Sequence, residues 1–390
     1  MGPESIVIWI AVTRHVFLDE TKRHGYVVAA AAVPPGDLAS LAGDRVVSAS
    51  PTEQDHRVAR LHFETSGFAG PGPAASGDLP VSWPCLIRAA ITVGASPVSL
   101  GTHPRPLVEL CWRAALVGAN LEHDASADRW RKAAAYKRLD PSEKSAVSYF
   151  LGMTQAKITS EMLLGVPYLV HLDAVLALLG QTTNQSRPDF VGFDPASREY
   201  TIALEAKGRS NDRTANVTNS AKLQSALLPK IVTTSSSVCV ASVASFDRVG
   251  HWQAYLEDPP KPYGEVANLL TVETLLVAYY RPLVTALLTA GIDTARSDDN
   301  LDVAYLAAAD LSVGLPTGIV SIIRGLPTAE PVESNRLQAV GADLVGRVMQ
   351  LERGAAAEAT AGSRAGADAP AVSTGLDGVQ VELGPSWFLG

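Results

Sequence analysis

The chain contains, at residues 187–208, the sequence RPDFVGFDPASREYTIALEAKG, in which two apolar runs flank a tight turn. Phe190–Phe193 and Tyr200–Ala206 have the aromatic and β-branched content that is typical of strands. Between them, residues 194–197 place a proline at the second position of a β-turn, where its fixed φ angle is favourable. The pattern predicts a β-hairpin.

Three charged residues lie at one end of this predicted hairpin. Asp189 precedes the first strand, and Glu205 and Lys207 lie near the end of the second. Since strand residues two apart project from the same face, Glu205 and Lys207 point together toward the side that Asp189 faces. Two converging carboxylates form an oxygen-ligand site suited to Mg²⁺ or Mn²⁺, and a nearby lysine can stabilise phosphate charge or orient water. The alternative is a surface hairpin with an ordinary cross-strand ion pair.

The flanking residues predict an α/β core with one mixed sheet. Residues 140–143 (Asp-Pro-Ser-Glu) are typical of a helix start, and that helix is expected to end at Leu164, before Gly165. An apolar segment, Tyr168–Leu179, follows it. After the hairpin come a probable helix, Thr218–Leu228, and a continuous apolar run, Val238–Val243, that is consistent with a buried strand.

This arrangement resembles the PD-(D/E)XK nuclease superfamily. Pro188-Asp189 resembles the first half of the motif and Glu205-Ala206-Lys207 the second, and the element order resembles the restriction-endonuclease-like αβββαβ core of that family. The resemblance covers about residues 143–246, a quarter of the chain, and leaves both flanks unexplained.

By this resemblance, the chain is expected to be a metal-dependent nuclease, and a DNA endonuclease before an RNA nuclease, in a restriction, repair or defence setting. Asp189 and Glu205 would bind Mg²⁺ or Mn²⁺, the Ala206 carbonyl would add a ligand, and Lys207 would act on water or on the scissile phosphate. The alternative is a catalytically silent member of the fold that binds nucleic acid or acts as a scaffold subunit.

Other side chains are candidates for auxiliary roles. Members of the family often carry an acid on the helix before the sheet, which makes Glu161 a catalytic candidate; the alternative is a surface carboxylate paired with Lys157. Gln224 resembles a glutamine that some members use near the site, with Lys222 beside it, although a solvated helix face explains both. Five basic residues near the motif are candidates for phosphate contacts or are solubilising charges: Arg187, Arg209, Arg213, Lys222 and Lys230. His171, between two apolar residues, is expected to be a core histidine.

Composition limits the classes of function. A formal net charge of −8 argues against binding that depends on phosphate neutralisation alone, although a local basic face can coexist with an acidic remainder. The three cysteines are far apart, which argues against a disulfide framework and a zinc ribbon. Neither a P-loop nor a Gly-x-Ser-x-Gly motif occurs. A cytoplasmic protein without a membrane segment is expected.

The predicted domain organisation has four parts. Residues 1–135 form an α+β region of unknown role, 136–250 the nuclease-like core, 251–353 a helical and mixed extension, and 354–390 a flexible Ala/Gly-rich tail. Within the last part, the segment Val379–Leu389 is expected to dock back or to bind a partner. A homodimer or a partner subunit is expected from the task of cutting both strands of a duplex, which usually takes two sites.

Overall fold

A mixed β-sheet organises the protein. The computed structural model describes residues 58–68, 72–93, 105–180, 186–195, 199–227, 238–258, 271–326, 333–360 and 371–388. Within them the main sheet has nine strands: β1 Ala59–Ser66, β2 Ser76–Val81, β3 Leu121–Asp124, β4 Arg129–Lys132, β5 Tyr168–His171, β6 Phe190–Asp194, β7 Glu199–Gly208, β8 Val238–Phe246 and β9 Trp252–Glu257. Their order is β3-β4-β1-β9-β8-β7-β6-β5, and β2 pairs with β1 outside this path.

The strand directions are mixed, as the sequence predicts. Strands β5, β6 and β7 form an antiparallel meander, whereas β8 runs parallel to β7 and antiparallel to β9. The predicted hairpin is confirmed, because Phe190 pairs with Leu204 and Val191 with Ala203. Residues 196–198 of its turn lie outside the described part of the chain.

Helices cover both faces of this sheet. Their bounds are α1 Trp83–Thr92, α2 Arg105–Asn120, α3 Ala134–Arg138, α4 Pro141–Leu164, α5 Leu172–Leu178, α6 Ala215–Ser225, α7 Val272–Ala290, α8 Thr317–Arg324 and α9 Ser334–Thr360. Both α4 and α6 pack on β7 and β8, and α7 packs on α9 and α2. None of the described helices is long and apolar enough to cross a membrane.

Local sequence explains where α4 begins and ends. The Asp140 carboxylate accepts hydrogen bonds from the backbone N–H groups of Ser142 and Glu143, and the Glu143 side chain accepts one from the Asp140 N–H. This capping box, with Pro141 at the first helical position, satisfies backbone donors that would otherwise lack partners. At the other end Gly165 adopts φ 66°, a left-handed conformation that favours glycine. The predicted helix is therefore confirmed.

Glycine lets α4 pass directly over the end of β7. A Cβ atom added to Gly208 would overlap the carbonyl oxygen of Ser148, and one added to Gly152 would lie 2.8 Å from the Gly208 nitrogen. The helix and the strand therefore touch through their backbones. This close approach holds the residue that follows Lys207 against the middle of α4.

The predicted boundaries at residues 135/136 and 250/251 do not separate domains in the described part of the chain. Strands β1–β4 precede the first boundary and β9 follows the second, yet all belong to the main sheet. A strand such as β9, with its alternating burial, pairs with both β8 and β1. Long-range pairing of this kind leaves no local signal in the sequence, because each strand has only its own pattern.

The C-terminal region differs from the predicted flexible tail. Strands β10 Leu301–Leu306, β11 Leu311–Pro316, β13 Gln380–Leu383 and β12 Val372–Thr374 form a second, antiparallel sheet in that order. Helix α9 also extends beyond the expected end at Arg353, to Thr360. The Trp387 indole donates a hydrogen bond of 2.8 Å to the Ala309 carbonyl. The segment that contains Val379 therefore docks back onto this chain.

Replacing Gly208 by alanine is expected to destabilise the protein by about 1–3 kcal/mol, because the added methyl group meets backbone that cannot move away easily. Urea unfolding of Gly208→Ala measures the effect. The matched control is Gly346→Ala, since Gly346 lies exposed in α9 with no atom within 4 Å of an added Cβ. That change should stabilise the helix by up to about 1 kcal/mol. Equal free energies of unfolding for Gly208→Ala and the wild type would contradict the close crossing.

Candidate functional site

Two carboxylates face each other across β6 and β7. The register that pairs Phe190 with Leu204 brings the preceding residue, Asp189, opposite Glu205. The Asp189 N–H donates a 3.1 Å hydrogen bond to Oε2 of Glu205, and the Ala206 N–H donates a 3.0 Å bond to Oδ2 of Asp189. Each acid therefore binds the backbone of the other strand, which holds both at one end of the hairpin.

Lys207 completes this group. It follows Glu205 by two residues on the same strand face, and its ammonium donates a hydrogen bond to Oε1 of Glu205. The Glu205 side chain is 1% exposed, whereas that of Lys207 is 29% exposed. The lysine can therefore reach solvent or a bound molecule while the acid stays inside. The structure brings together the three residues that the sequence predicts as catalytic at this hairpin.

The three residues lie on the face that α6 covers. In the parallel pair β7–β8, Glu205 is next to Ala241 and Lys207 is next to Val243. Those two β8 residues pack against Ala221 of α6. Gly208 points the other way, toward α4, because neighbouring strand residues alternate between faces. The sheet thus separates the carboxylates from the helix that braces their strand.

Burial makes this charge arrangement costly. Burial, followed by the charge of Asp189, raises the pKa of Glu205 to about 7. Burial also raises the pKa of Asp189, against the opposing effects of the Ala206 N–H and the Lys207 charge. One lysine does not fully offset two carboxylates in such a place, since desolvation penalises each ionised group. A divalent cation would remove the excess negative charge.

The oxygen atoms present suit a magnesium or manganese ion. Asp189 and Glu205 supply carboxylate oxygens from adjacent strands, and Ala206 has a backbone carbonyl between Glu205 and Lys207. In the described part of the chain, no cluster of three or more His, Cys, Asp or Glu side chains could hold a metal ion. An ion held here would have two carboxylates of the protein as side-chain ligands, and Mg²⁺ is usually bound through one or two carboxylates together with waters.

A cleft of about 230 Å³ opens beside Asp189. Its lining consists of His171, Asp173, Ser186, Arg187, Pro188, Asp189 and Gln224. The predicted auxiliary residue Gln224 therefore reaches the cleft from α6. The remaining polar lining residues come from the end of β5 and the segment before β6.

Asp173 is a cleft residue that sequence reasoning missed. It is the second residue of α5, directly after β5, and its carboxylate forms an ion pair with Arg187. Its charge contributes to the raised pKa of Asp189. The backbone N–H of Asp173 donates a 3.3 Å hydrogen bond to Nδ1 of His171, and burial lowers the pKa of this histidine to about 4. His171 is thus a neutral helix cap. The sequence signal that could have identified Asp173 as a cleft residue is its position directly after β5, the strand next to β6.

Tyr149 is a second residue near the site that the sequence did not indicate. It lies on α4, and its backbone nitrogen is 2.9 Å from the position of a Cβ added to Gly208. Partial burial, followed by the negative charge of Asp189, raises the pKa of its hydroxyl to about 12. The ring is 40% exposed. Tyr149 therefore keeps its proton at neutral pH.

The structure does not bring Glu161 to the hairpin. Its carboxylate accepts two hydrogen bonds, of 2.9 and 3.0 Å, from the guanidinium of Arg88. Helix α4 meets β7 at Gly152, and Glu161 lies nine residues farther along, a rise of about 13 Å. The predicted catalytic role therefore has no geometric support. Of the alternative expectation, the pairing with Lys157 is confirmed, whereas the surface position is wrong, since the Glu161 side chain is only 9% exposed.

Glu161 belongs to a buried ionic cluster instead. The Lys157 ammonium lies 3.7 Å from Glu161 and 3.1 Å from Asp377, and it also donates to the Tyr279 hydroxyl at 2.9 Å. Burial would raise the pKa of Asp377, but the charges of Lys157 and Arg88 bring it below its usual value. The cluster balances two cations against two carboxylates and ties the C-terminal segment to α1 and α4.

Most of the basic residues predicted near the motif are paired with acids. Lys222 lies 2.6 Å from Glu257. Arg213 lies 3.3 Å from Glu64, and its guanidinium stacks 3.6 Å from the centre of the Tyr255 ring. Arg187 is paired in the cleft, as described above. Arg209 directly follows β7, and its backbone N–H donates a hydrogen bond to the Ala244 carbonyl. Lys230 lies outside the described residues.

Known proteins give no further guidance. Comparison of the chain with protein-family models, with curated proteins and with solved structures finds no match. Any assignment of function therefore depends on the geometry of the site.

Raising the pH from 5 to 8 without metal is expected to lower the free energy of unfolding. The pKa of Glu205 is about 7 in the fold and about 4.3 when unfolded. The protonated Glu205 therefore stabilises the fold fully below its unfolded pKa, and this stabilisation, on the order of 1–3 kcal/mol, is lost as the pH rises through its folded pKa. Millimolar Mn²⁺ should restore stability at pH 8, because it binds only the folded site.

Urea unfolding at both pH values, with and without Mn²⁺, measures this effect. The matched variant Glu205→Gln removes the titrating carboxyl, so its stability should depend less on pH and should not respond to Mn²⁺. Identical pH profiles and metal responses for the variant and the wild type would contradict the account.

Proposed function

We propose that this chain is a metal-dependent nuclease of the PD-(D/E)XK type that hydrolyses phosphodiester bonds in DNA. The observation that carries the proposal is the reciprocal pairing of Asp189 and Glu205 across β6 and β7, with Lys207 bonded to Glu205 on the same face. Phosphodiester hydrolysis by such enzymes needs a metal site, a water and a cation at the phosphate. These three residues can supply the metal ligands and the cation.

The surrounding elements also support the proposal. Helix α4, the meander β5-β6-β7, helix α6 and strand β8 follow one another in the order expected of an αβββαβ core. The short helix α5 is inserted between β5 and β6. Strand β8 returns parallel to β7, which requires a connection that crosses over the sheet, and α6 lies within it.

The residues of the site have distinct expected roles. A bound Mg²⁺ or Mn²⁺ would lower the pKa of a coordinated water and polarise the phosphate. Asp189, Glu205 and the Ala206 carbonyl would hold the ion. Once Glu205 is neutralised in this way, the half-exposed ammonium of Lys207 is free to turn toward the phosphate or the attacking water. Its charge would then stabilise the transition state directly.

The cleft supplies a place for the substrate next to these groups. Arg187 and Gln224 line it together with Asp189. A phosphate oxygen can compete with Asp173 for the Arg187 guanidinium, since planar guanidinium groups bind phosphate in the same two-pronged manner as carboxylate. The Gln224 amide can donate to a phosphate or a base edge.

The test is cleavage of labelled duplex DNA, single-stranded DNA and RNA in Mg²⁺ or Mn²⁺. Asp189→Asn and Lys207→Ala should each reduce the rate at least about 100-fold, because each removes a group that acts on the transition state. The control is Asp299→Asn, which alters an exposed carboxylate far along the chain in the segment before β10. Cutting that persists unchanged in both site variants would contradict the proposal.

A second candidate is a silent member of the fold that binds nucleic acid without cutting it. The ion pair between Lys207 and Glu205 favours this possibility, because both Glu205 oxygens already accept hydrogen bonds within the protein. The two candidate functions predict different results. A silent protein would bind nucleic acid equally well with and without divalent metal and would release no cleaved product from any of the substrates.

A further inference from the structure

Positive charge is concentrated in one short segment outside the motif. Residues 129–144 contain six basic and two acidic residues, a net charge of +4 in a chain whose formal charge is −8. The segment comprises β4, α3 and the first turn of α4. Its position next to α4 places this charge close to the end of β7.

The two acids of the segment are bonded to the backbone at the start of α4. Asp140 and Glu143 form the capping box of α4, in which their carboxylates accept backbone N–H groups. Arg129 and Arg131 pair with acids elsewhere. Four cations remain, which we call the basic ridge: Lys132, Lys137, Arg138 and Lys144.

The four cations of the basic ridge form no ion pair with an acid in the described part of the chain. Lys137 and Arg138 are exposed, and Lys132 and Lys144 are half-buried. No described carboxylate lies within ion-pair distance of the four. Burial, followed by the charge of Lys144, lowers the pKa of Lys132, and the charges of Asp212 and Asp247 partly oppose this shift. Lys144 and Lys137 are therefore close enough to Lys132 to repel its charge.

A continuous set of contacts joins the ridge to the catalytic strand. The Lys132 ammonium lies 4.8 Å from the centre of the Phe246 ring, at the end of β8, and 5.7 Å from that of Tyr136. The Tyr136 hydroxyl forms a 2.8 Å hydrogen bond with the hydroxyl of Ser148. The Ser148 carbonyl in turn lies against Gly208. Gly208 directly follows Lys207.

Distances along α4 indicate how far the ridge lies from the end of β7. Lys144 precedes Ser148 by one helical turn, a rise of about 6 Å. Lys137 and Arg138 form the last turn of α3, just before α4 begins. The rise from Ser148 to Lys144 therefore corresponds to about two nucleotides of a strand, at 3.4 Å of axial rise per nucleotide.

We propose that the basic ridge binds the phosphate backbone of the nucleic-acid strand on one side of the scissile phosphate. The proposal deepens the nuclease assignment and depends on it for the class of substrate. Lysine ammonium groups on flexible stems bind phosphates as point charges and do not read base edges. The ridge should therefore add affinity that is independent of sequence and strongly dependent on salt.

The chemistry of the surface favours a nucleic acid over a lipid membrane. No large apolar side chain is exposed between residues 129 and 148, and such side chains are what a membrane-surface helix inserts into lipid. The ridge lies on the α4 side of the sheet, near the end of β7, so a strand held there would have to pass over this end of the sheet to reach Lys207 on the α6 side. An acidic protein partner bound at the ridge would not need to extend to Lys207.

The test uses the full chain in EDTA, so that binding is measured without cleavage. The triple variant Lys137→Gln, Arg138→Gln and Lys144→Gln removes three charges of the ridge. The matched control removes three exposed charges elsewhere, with Arg324→Gln, Arg336→Gln and Arg353→Gln. Fluorescence anisotropy gives the affinity for labelled single-stranded and duplex DNA between 50 and 300 mM salt.

The wild type and the control should show the same slope of log K against log salt. The ridge variant should lose about 2 to 3 units of that slope, since each phosphate contact contributes about 0.7–0.9. Its affinity at 50 mM salt should fall at least about tenfold. Equal affinities and slopes for the two triple variants, or no DNA binding by the wild type, would contradict the proposal that the basic ridge binds the phosphate backbone.

These results separate the ridge from the nuclease assignment. If the wild type binds DNA through the basic ridge but cuts none of the substrates, the proposal of phosphate binding by the ridge stands and the nuclease proposal is contradicted. Metal-dependent cutting, with normal binding by the ridge variant, would retain the nuclease and overturn the ridge.

Discussion

The structure around the hairpin depends on the burial of two carboxylates that bind each other's strand. Asp189 and Glu205 each accept an N–H group from the opposite chain segment, and Glu205 also accepts a hydrogen bond from the Lys207 ammonium. Such an arrangement costs free energy when both are ionised, because desolvation penalises each charge. Lys207 offsets part of that cost. The proposal that a metal ion binds at this cleft rests on that remaining cost.

The rest of the protein holds this strand end in place. Gly208 lets α4 contact β7 through backbone atoms, and the capping box of α4 fixes where that helix starts. At the far end of the same helix, Lys157 reaches Asp377 in the C-terminal segment. Removing one member of such a buried pair leaves an unpaired charge inside, so the C-terminal segment contributes to the stability of the helix that braces the site.

The elements that local sequence patterns specify were predictable. Asp140, Pro141 and Gly165 mark the limits of α4, and the alternating and apolar runs around Asp189 and Glu205 specify the hairpin. Interactions between distant segments were not predictable. Asp377 lies in an Ala/Gly-rich stretch, and only the fold shows that it is buried next to Lys157 and Arg88. For the same reason Glu161 was assigned to the wrong surroundings, since helical position alone does not show that Arg88 lies opposite it.

The pairing of charges also explains why the basic residues nearest the motif were misleading. Arg213 and Lys222 are close to it in sequence, yet β1 and β9 bring Glu64 and Glu257 to them. The cations that form no ion pair among the described residues lie much earlier in the chain, in β4, α3 and the first turn of α4, and contacts with Phe246 and α4 bring them near the end of β7. An acidic net charge thus coexists with a local basic surface.

The most direct test of the central claim is a crystal grown with Mn²⁺ and measured for anomalous scattering. We expect one manganese peak between Asp189 and Glu205, with carboxylate oxygens of both as ligands. Lys207 should then have turned away from Glu205. A crystal without manganese at this position, in which Lys207 still pairs with Glu205, would contradict the claim.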